Sequence, residues 1–332
     1  MPPLKPHLGR TLIACTLLTS SLHAAPPGQG WALAWSDEFE GTTLNNSNWS
    51  VGTGARRNAI NTSNALTVAN GYLRVRTYTE GGTHYTGWIS SAGKFENAFG
   101  YWEARLRFNS SQGMWSAFWL QPYGINNVGD PAGNGTEIDI VEHRSRDSAG
   151  ADLRNRASTN IHWDGYGADH KSVGATYNNP GIDPSSLQGN FHTYGVRWTP
   201  TTYYFYLDGA LVYQTSAAVS NVRQWIYLTS EVENGAWAGP TPASYGDRST
   251  SNTYFDIDYV RFYQRAEQTV NGGFSNRMGP WRQLGTSSLS TTGGRNGGPG
   301  ARMNPTNTAG GSVEQSVVGL LPNTPYVLRG WG

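Results

Sequence analysis

One stretch of the sequence decides both the fold and the chemistry of this chain: Glu137-Ile138-Asp139-Ile140-Val141-Glu142. It interleaves three carboxylates with β-branched apolar residues, a composition that predicts a strand with acids on one face. Because side chains alternate along a strand, Glu137 and Asp139 share one face, and the isoleucines pack into the core behind them. Glu142 breaks the alternation, because the fifth residue after Glu137 falls on the core face.

The sequence therefore predicts a β-bulge, in which Ile140 or Val141 is the extra residue that returns Glu142 to the face of Glu137. With the bulge, the two glutamates lie four effective positions apart. At about 3.3 Å per residue, that is at most about 13 Å of strand. Inward-leaning side chains can close most of this gap, and a retaining glycosidase holds its two carboxyl groups about 5 to 5.5 Å apart.

Two other interpretations of the acids stay open. In the first, they lie on a solvated face and pair with Arg144 and Arg146. This is disfavoured, because acids are poor strand formers and three on one face repel unless one is protonated or bound. The second is a metal site built from Glu137, Asp139, Glu142 and His162. It ranks lower, because no paired-ligand spacing such as His-x-x-x-His accompanies these residues.

Upstream of the acids, Gly113–Leu120 carries large apolar groups on both faces. Trp115 and Trp119 share one parity, and Phe118 and Leu120 share the other. If Phe118 and Leu120 lie in the core, both tryptophans lie on the opposite, concave face, where sugar rings can stack on them. The alternative is that both tryptophans are simply core residues.

Downstream of the acids, the alternation in Asn160–Gly167 places His162 on the same side as Asn160. We predict that His162 reaches the acids from a neighbouring strand and either tunes them or contacts the substrate, although a lone His is more often structural. Trp237 stands among small residues in Gly235–Gly239. This pattern predicts a loop that holds one aromatic side chain out at the rim of a cleft.

Together these motifs resemble glycoside hydrolase family 16, over residues 31–264. The resemblance also rests on Trp35–Phe39, Gly100–Arg105, Phe191–Tyr194, Tyr206–Gly209 and Asp258–Arg261. It implies an all-β fold, a concanavalin-like β-jelly-roll sandwich with a concave substrate cleft. It also implies a retaining, endo-acting β-glycanase that requires no cofactor for catalysis.

Carried over to this sequence, the resemblance implies that Glu137 is the nucleophile and Glu142 the general acid/base. Asp139 is then the assisting carboxylate between them, and Trp115 and Trp119 stack against the substrate. Beyond these five residues, His162 and Trp237 are predicted to bind substrate. Asp258 matches a position that, in some members, helps to bind a structural calcium ion.

The sequence departs from relatives that act on β-1,3-glucan. They often have Pro in place of Ser116, Arg near the position of Trp88, and an apolar run ending in Gly-Gly in place of Ser230–Asn234. The predicted substrate is nevertheless β-1,3- or mixed β-1,3/1,4-glucan, with algal galactans such as agarose or carrageenan as the alternative. A different class of function is a catalytically inactive, lectin-like binder of polysaccharide.

The composition is that of a β-rich, turn-rich globular protein, since 42 of 332 residues are Gly, 13 are Trp and only 14% are charged. Short alternating runs bounded by Gly, Asn and Pro, such as Tyr72–Arg76, favour a sandwich. The net charge of +1 and the lack of a basic block argue against nucleic-acid and membrane partners. A neutral polysaccharide is the expected partner of a monomeric protein.

Residues 1–24 have the pattern of a secretory signal peptide. Lys5 and Arg10 precede an apolar run at residues 12–22, and small residues precede Ala25. The mature protein is therefore expected to be secreted, to the extracellular space or the periplasm. Cys15, the only cysteine, falls within this segment. A lipoprotein box around Cys15 is disfavoured, because too little apolar sequence precedes it.

After Gln264 the composition shifts towards Gly, Ser, Thr and Asn. Residues 268–332 are similar to the first half of a carbohydrate-binding module of the cellulose-binding C type, so a truncated second β-sandwich module is expected. The alternative is a Gly/Ser-rich linker, which the spaced apolar residues disfavour.

Overall fold

The computed structural model describes residues 26–28, 30–178, 187–235 and 237–265, together with the backbone of four short strands between residues 282 and 314. In chain order, the first strands are β1 (Trp31–Asp37), β2 (Ser50–Val51), β3 (Gly54–Arg56), β4 (Ala59–Asn61), β5 (Leu66–Ala69), β6 (Tyr72–Glu80), β7 (Thr83–Thr86), β8 (Trp88–Ser90), β9 (Glu96–Asn97), β10 (Gly100–Asn109), β11 (Met114–Gln121) and β12 (Glu137–Arg144). They are followed by β13 (Arg156–Trp163), β14 (Lys171–Asn178), β15 (Phe191–Trp198), β16 (Tyr203–Leu207), β17 (Ala210–Thr215), β18 (Gln224–Val232), β19 (Thr253–Arg265), β20 (Arg282–Leu284), β21 (Ser287–Ser290), β22 (Gly300–Met303) and β23 (Ser312–Glu314).

Helix is almost absent from the described residues, which contain one 3-10 turn at Ser63–Ala65 and one short helix, α1 (Pro131–Asn134). Most of the strands belong to two large sheets, and β20–β23 form two separate two-stranded pairs. The eleven-stranded sheet has the order β17-β16-β15-β10-β19-β6-β7-β4-β3, with β1 paired to β19 and β5 paired to β6. The eight-stranded sheet has the order β14-β13-β12-β11-β18-β8-β2, with β9 paired to β18. The predicted all-β sandwich is confirmed.

The hydrophobic core lies between these two sheets. The eight-stranded sheet contributes Phe118, Leu120 and Ile138, each of which is fully buried. From the other sheet, the rings of Phe108 and Phe255 stack at 5.1 Å. Burying a side chain of this size stabilises the fold by roughly 1.5–3 kcal/mol. This core fixes which face of β12 is apolar, and so which face carries the acids.

The predicted bulge is present in β12. Against β11, Val141 pairs with Phe118 and Asp139 pairs with Trp119, so Ile140 is the extra residue. Against β13, the register likewise shifts between Asp139 and Glu142. Ile140 and Val141 are both buried, because the bulge absorbs one position without exposing an apolar side chain.

Two of the segments predicted from sequence fall largely or wholly outside the described residues. The predicted signal peptide, residues 1–24, lies outside them. Of the predicted second module, the described part consists of four strands, in which β20 pairs with β23 and β21 with β22. Within the described residues, no helix is both long enough and apolar enough to cross a bilayer.

Candidate active site

The three acids of β12 lie on the face of the eight-stranded sheet that is turned away from the core. Glu142 pairs with Ala117 and Asp139 pairs with Trp119, and residues directly opposite in an antiparallel pair point to the same side. Asp139 is 4% exposed and Glu142 is 5% exposed. The bulge has therefore returned Glu142 to the side of Glu137.

Glu142 accepts a hydrogen bond from a side chain on the neighbouring strand. Asn160 Nδ2 in β13 lies 2.6 Å from Glu142 Oε2. Asn160 pairs with Gly174 in β14, and a Cβ atom at Gly174 would lie only 2.0 Å from Asn160 Oδ1. Because Gly174 has no side chain, the Asn160 amide has room to lie beside it and donate to Glu142.

Glu137 accepts a hydrogen bond from Tyr166, in the loop that follows β13. The Tyr166 hydroxyl donates to Glu137 Oε2 and accepts a 2.8 Å hydrogen bond from Gln121 Nε2. The same Gln121 nitrogen lies 3.5 Å from Glu137 Oε2. The carboxyl group expected to act as nucleophile is thus held by donors from β11 and from the loop.

Asp139 lies beside a pair of histidines. Its Oδ2 atom is 3.1 Å from His162 Nε2, but the alignment falls outside hydrogen-bonding geometry, and this oxygen has no hydrogen-bond partner among the described residues. His162 Nδ1 shares a 2.9 Å hydrogen bond with His170 Nε2. His162 therefore reaches the acids from the neighbouring strand, and both of its ring nitrogens face protein groups.

Burial raises the pKa of all three acids, each to about 8. Repulsion from Asp139 adds to the rise in the pKa of Glu137 and Glu142, whereas the Tyr166 and Asn160 hydrogen bonds lower those two pKa values. Carboxyl groups this close together ionise one at a time. The cluster thus retains protons at neutral pH, as a site needs if one carboxyl group is to act as a general acid.

The described residues contain one group that could hold a metal ion. Glu137, Asp139 and His162 each offer a ligand atom, and these atoms lie within 4.8 Å of one another. Glu142, the fourth member of the metal site considered from sequence, does not belong to this group. Carboxylate and imidazole ligands of this kind suit zinc better than calcium.

Aromatic rings extend from the acids across the strands on one side. Trp119 in β11 stacks on Tyr227 in β18 at 4.4 Å, and Tyr227 meets Trp88 in β8 edge to face at 5.4 Å. Trp119 Nε1 donates to Thr229 Oγ1 at 3.1 Å, which fixes the orientation of the ring. Trp119 therefore lies on the predicted face, with one side of its ring covered by Tyr227.

A second aromatic group lies at the Glu142 end of β12. Trp115 and Trp237 have ring centroids 4.9 Å apart. The guanidinium of Arg57 lies 4.6 Å from the Trp115 ring, and that of Arg144 lies 3.9 Å from the Trp237 ring. Trp237 is half-buried and packs against Trp115, and its contact with substrate stays a prediction.

The arginines after the acids do not pair with them. Arg144 donates to the backbone oxygen of Trp237, and Arg146 donates to that of Gly150. The interpretation of the acids as an arginine-paired surface strand is therefore wrong.

Asp258 lies in β19 of the other sheet, where its Oδ2 accepts a 2.7 Å hydrogen bond from Arg105.

The sequence patterns did not predict five further members of the site: Gln121, Tyr166, His170, Arg57 and Tyr227. The Asp-Gly pair before Tyr166 indicates a turn, but nothing local shows that the turn folds back over β12. Gln121 and Tyr227 each continue the outer-face alternation of their strand, and that parity was the one available signal.

The sequence comparisons identify the family. Residues 31–265 match the family profile described as "Beta-porphyranase A-D, GH16 domain". The match covers most of the chain, which therefore belongs to glycoside hydrolase family 16 and is a glycoside hydrolase.

The individual relatives carry names that refer to different glycosidase activities. A keratan-sulfate endo-1,4-beta-galactosidase of Sphingobacterium multivorum is 30% identical over 325 residues, which cover 91% of this chain and 71% of that protein. Glucan endo-1,3-beta-glucosidase A1 of Niallia circulans is 25% identical, covering 72% of this chain and 39% of that protein. The endo-beta-1,3-glucanase structure from Pyrococcus furiosus shares the fold, with a TM-score of 0.55 at 24% identity, over 70% of this chain and 94% of that one.

Proposed function

We propose that this chain is a retaining endo-β-glycanase that uses Glu137 as nucleophile and Glu142 as general acid/base. The observation that carries the proposal is the bulge at Ile140, which places two glutamates on one face of β12 with Asp139 between them. Each glutamate accepts a hydrogen bond that holds its carboxyl group in place. This is the constellation that a double displacement requires.

In the first step, Glu137 attacks the anomeric carbon while Glu142 protonates the departing oxygen, so that the glycosidic bond breaks and a glycosyl ester forms. In the second step, Glu142 takes a proton from water, which attacks the same carbon and releases Glu137. The raised pKa of Asp139, to about 8, keeps a proton next to Glu137. Asp139 can therefore share that proton with Glu137 between the two steps.

The placement of the two glutamates also indicates how the glycan lies. The two carboxyl groups of a retaining enzyme act from opposite sides of one sugar ring. Because Glu137 and Glu142 are separated along β12, the glycan passes between them and across the strands. The Trp119, Tyr227 and Trp88 rings then form the floor of one arm of the site, and His162 and Asn160 lie on the other arm.

The leading substrate in this proposal is a β-galactan. Two comparisons support it: the family profile is that of β-porphyranases, and the relative at 30% identity is named as an endo-1,4-beta-galactosidase. The sequence departures at Ser116 and Ser230–Asn234 also point away from the β-1,3-glucan subsites.

The second candidate is β-1,3- or mixed-linkage β-glucan. It is supported by the relatives named as glucan endo-1,3-beta-glucosidase and endo-1,3-1,4-beta-glycanase, at 25% and 27% identity. The catalytic residues serve either substrate, because the chemistry at the anomeric carbon is the same.

A panel of polysaccharides tests the proposal. The purified protein is assayed for new reducing ends on agarose, porphyran, carrageenan, keratan sulfate, laminarin and mixed-linkage glucan, beside its Glu137→Gln and Glu142→Gln variants. We expect oligosaccharide release from a galactan, and loss of turnover in both variants with the fold retained by circular dichroism. Binding without cleavage by the wild-type protein would instead identify a lectin-like binder.

Four further assignments belong to the proposal. Residues 1–24 direct secretion, which the N-terminal sequence of the exported protein tests. Residues 268–332 belong to a carbohydrate-binding module. The protein is a monomer, and sedimentation tests its oligomeric state. A structural calcium ion near Asp258 would have to replace its contact with Arg105, and a fall in Tm on adding a chelator tests this assignment.

A further inference from the structure

A short chain of hydrogen bonds ends on the carboxyl group of Glu137. Gln121 Nε2 donates to the Tyr166 hydroxyl at 2.8 Å, and this hydroxyl donates to Glu137 Oε2. A hydroxyl that accepts one hydrogen bond becomes a stronger donor of the next. The amide of Gln121 thus strengthens the donation of Tyr166 to the nucleophile.

Tyr166 is a largely exposed residue whose hydroxyl group contacts a buried acid. Its residue surface is 52% exposed, and its hydroxyl end is turned onto Glu137. Burial of this end and the charge of Glu137 raise the pKa of Tyr166 above its ordinary value. The phenol therefore keeps its proton over the working pH range and remains a donor.

The loop that carries Tyr166 is fixed by residues distant in sequence. Asp164 adopts a left-handed conformation with φ of 62°, and its buried carboxylate accepts hydrogen bonds from the Gly129 backbone at 2.9 Å and from Lys171 Nζ at 2.6 Å. The Gly165 backbone donates to Ile125 O at 2.7 Å. Such contacts hold the next residue, Tyr166, in one place over β12.

The same loop also approaches Asp139, through the contact between His170 and His162. The charged and titratable groups around the nucleophile are Asp139 and Glu142 from β12, His162 from β13, and Tyr166 and His170 from the loop. Among them, Tyr166 is the hydrogen-bond donor to Glu137.

We propose that Tyr166 is a positioning residue for the nucleophile: its hydroxyl holds one oxygen of Glu137, so that the other faces the anomeric carbon. The inference rests on the proposed role of Glu137. Tyr166 keeps its own proton in both steps, because Glu142 supplies the proton to the leaving oxygen and later takes one from water. Its hydrogen bond stabilises the carboxylate before attack and when the ester is broken.

The test is Tyr166→Phe in the full chain, assayed on the glycan that the wild-type protein cleaves. Hydrogen bonds to charged groups contribute about 1.5–3 kcal/mol, so we expect kcat to fall by about 10- to 100-fold with little change in KM. The lost hydrogen bond favoured the charged form of Glu137. The acidic limb of the kcat/KM profile should therefore move to higher pH.

Tyr123→Phe is the matched control. Tyr123 is the most exposed of the large hydrophobic residues among those described, and its hydroxyl donates to Glu96 at 2.7 Å rather than to a catalytic acid. This control should keep both the wild-type kcat and the wild-type pH profile.

Two outcomes would overturn the inference. One is a Tyr166→Phe enzyme with unchanged kcat and an unchanged acidic limb. The other is a loss confined to KM, which would make Tyr166 a sugar contact. A wild-type protein that cleaves none of the polysaccharides contradicts the proposed function instead, and the inference falls with it.

Discussion

At the residue scale, the three acids of β12 differ in their partners more than in their burial. Asn160 donates to Glu142 and Tyr166 donates to Glu137, whereas Asp139 Oδ2 lacks a hydrogen-bond partner among the described residues. An unpartnered, buried carboxyl oxygen favours the protonated acid. The proton that the cluster shares is therefore best accommodated on Asp139, which suits the assisting role proposed for it.

Burying these acids makes stability depend on pH. The pKa of Glu142 is raised to about 8 in the folded protein, against about 4.3 in an unfolded chain. Between these values the unfolded state has lost a proton that the folded state retains, so stability falls as pH rises and the loss is complete above about pH 8. We predict that Glu142→Gln stabilises the protein by at least about 1 kcal/mol more at pH 9 than at pH 4.

Thermal unfolding at the two pH values measures this difference. The exposed Glu40→Gln variant is the control, and its Tm relative to wild type should not depend on pH. A Glu142→Gln variant that gains nothing at pH 9 would show that Glu142 is not held protonated by burial.

At the element scale, the bulge in β12 and the glycine in β14 together position Glu142, the proposed acid/base. The bulge turns Glu142 outward, and Gly174 leaves space for the Asn160 amide that contacts it. The bulge could be predicted from sequence, because an acid at the fifth position conflicts with strand alternation. The role of Gly174 could not be predicted, because it depends on the pairing of β13 with β14, which the sequence does not show.

Gly174→Ala tests this arrangement. The new Cβ would lie 2.0 Å from Asn160 Oδ1 and 2.2 Å from the Thr159 backbone oxygen, so the Asn160 amide must move away from Glu142. We expect kcat to fall by about 10-fold or more, the equivalent of one lost hydrogen bond to a catalytic group. The crystal structure of the variant should show a longer distance from Asn160 Nδ2 to Glu142 Oε2.

Gly41→Ala is the control for this change. Its Cβ would meet its nearest neighbour, Thr43 O, at 3.6 Å, an ordinary contact, so activity should be unchanged. Full activity of the Gly174→Ala variant would mean that Asn160 does not support Glu142.

Sequence patterns reveal strands better than they reveal loops. Parity placed Trp115, Trp119 and the acids on one face, because alternation is a property of the strand itself. The position of Tyr166 depends on contacts from Gly129 and Ile125 to its loop, and these residues are distant in sequence. For the same reason, the packing of Trp237 against Trp115 was not predicted.

At the scale of the whole molecule, the described sandwich is closed by its first and last strands. β1 pairs with β19 from Trp31 to Asp37, with one irregularity at Ala34, and Trp31 faces Arg265, whose guanidinium lies 4.5 Å from the ring. The family match ends at the same residue, 265. The hydrolase domain therefore contains its core, its acids and its closing strand within residues 31–265.

We accordingly predict that a chain ending after residue 265 folds and cleaves soluble oligosaccharides at the wild-type rate. If residues 268–332 belong to a carbohydrate-binding module, the shortened protein should lose binding to, and turnover of, insoluble polysaccharide. Pull-down on the insoluble substrate and reducing-end assays on the soluble one separate the two effects. A shortened protein that unfolds would show that the domain extends further than its strands indicate.

The most direct test of the catalytic assignment is to trap the covalent intermediate. The enzyme is incubated with a 2-fluoro glycoside of the substrate sugar, which slows the second step, and the labelled peptide is sequenced by mass spectrometry. The arrangement on β12 predicts a glycosyl group esterified to Glu137. A label on Glu142, or turnover with no covalent adduct and an inverted product, would contradict it.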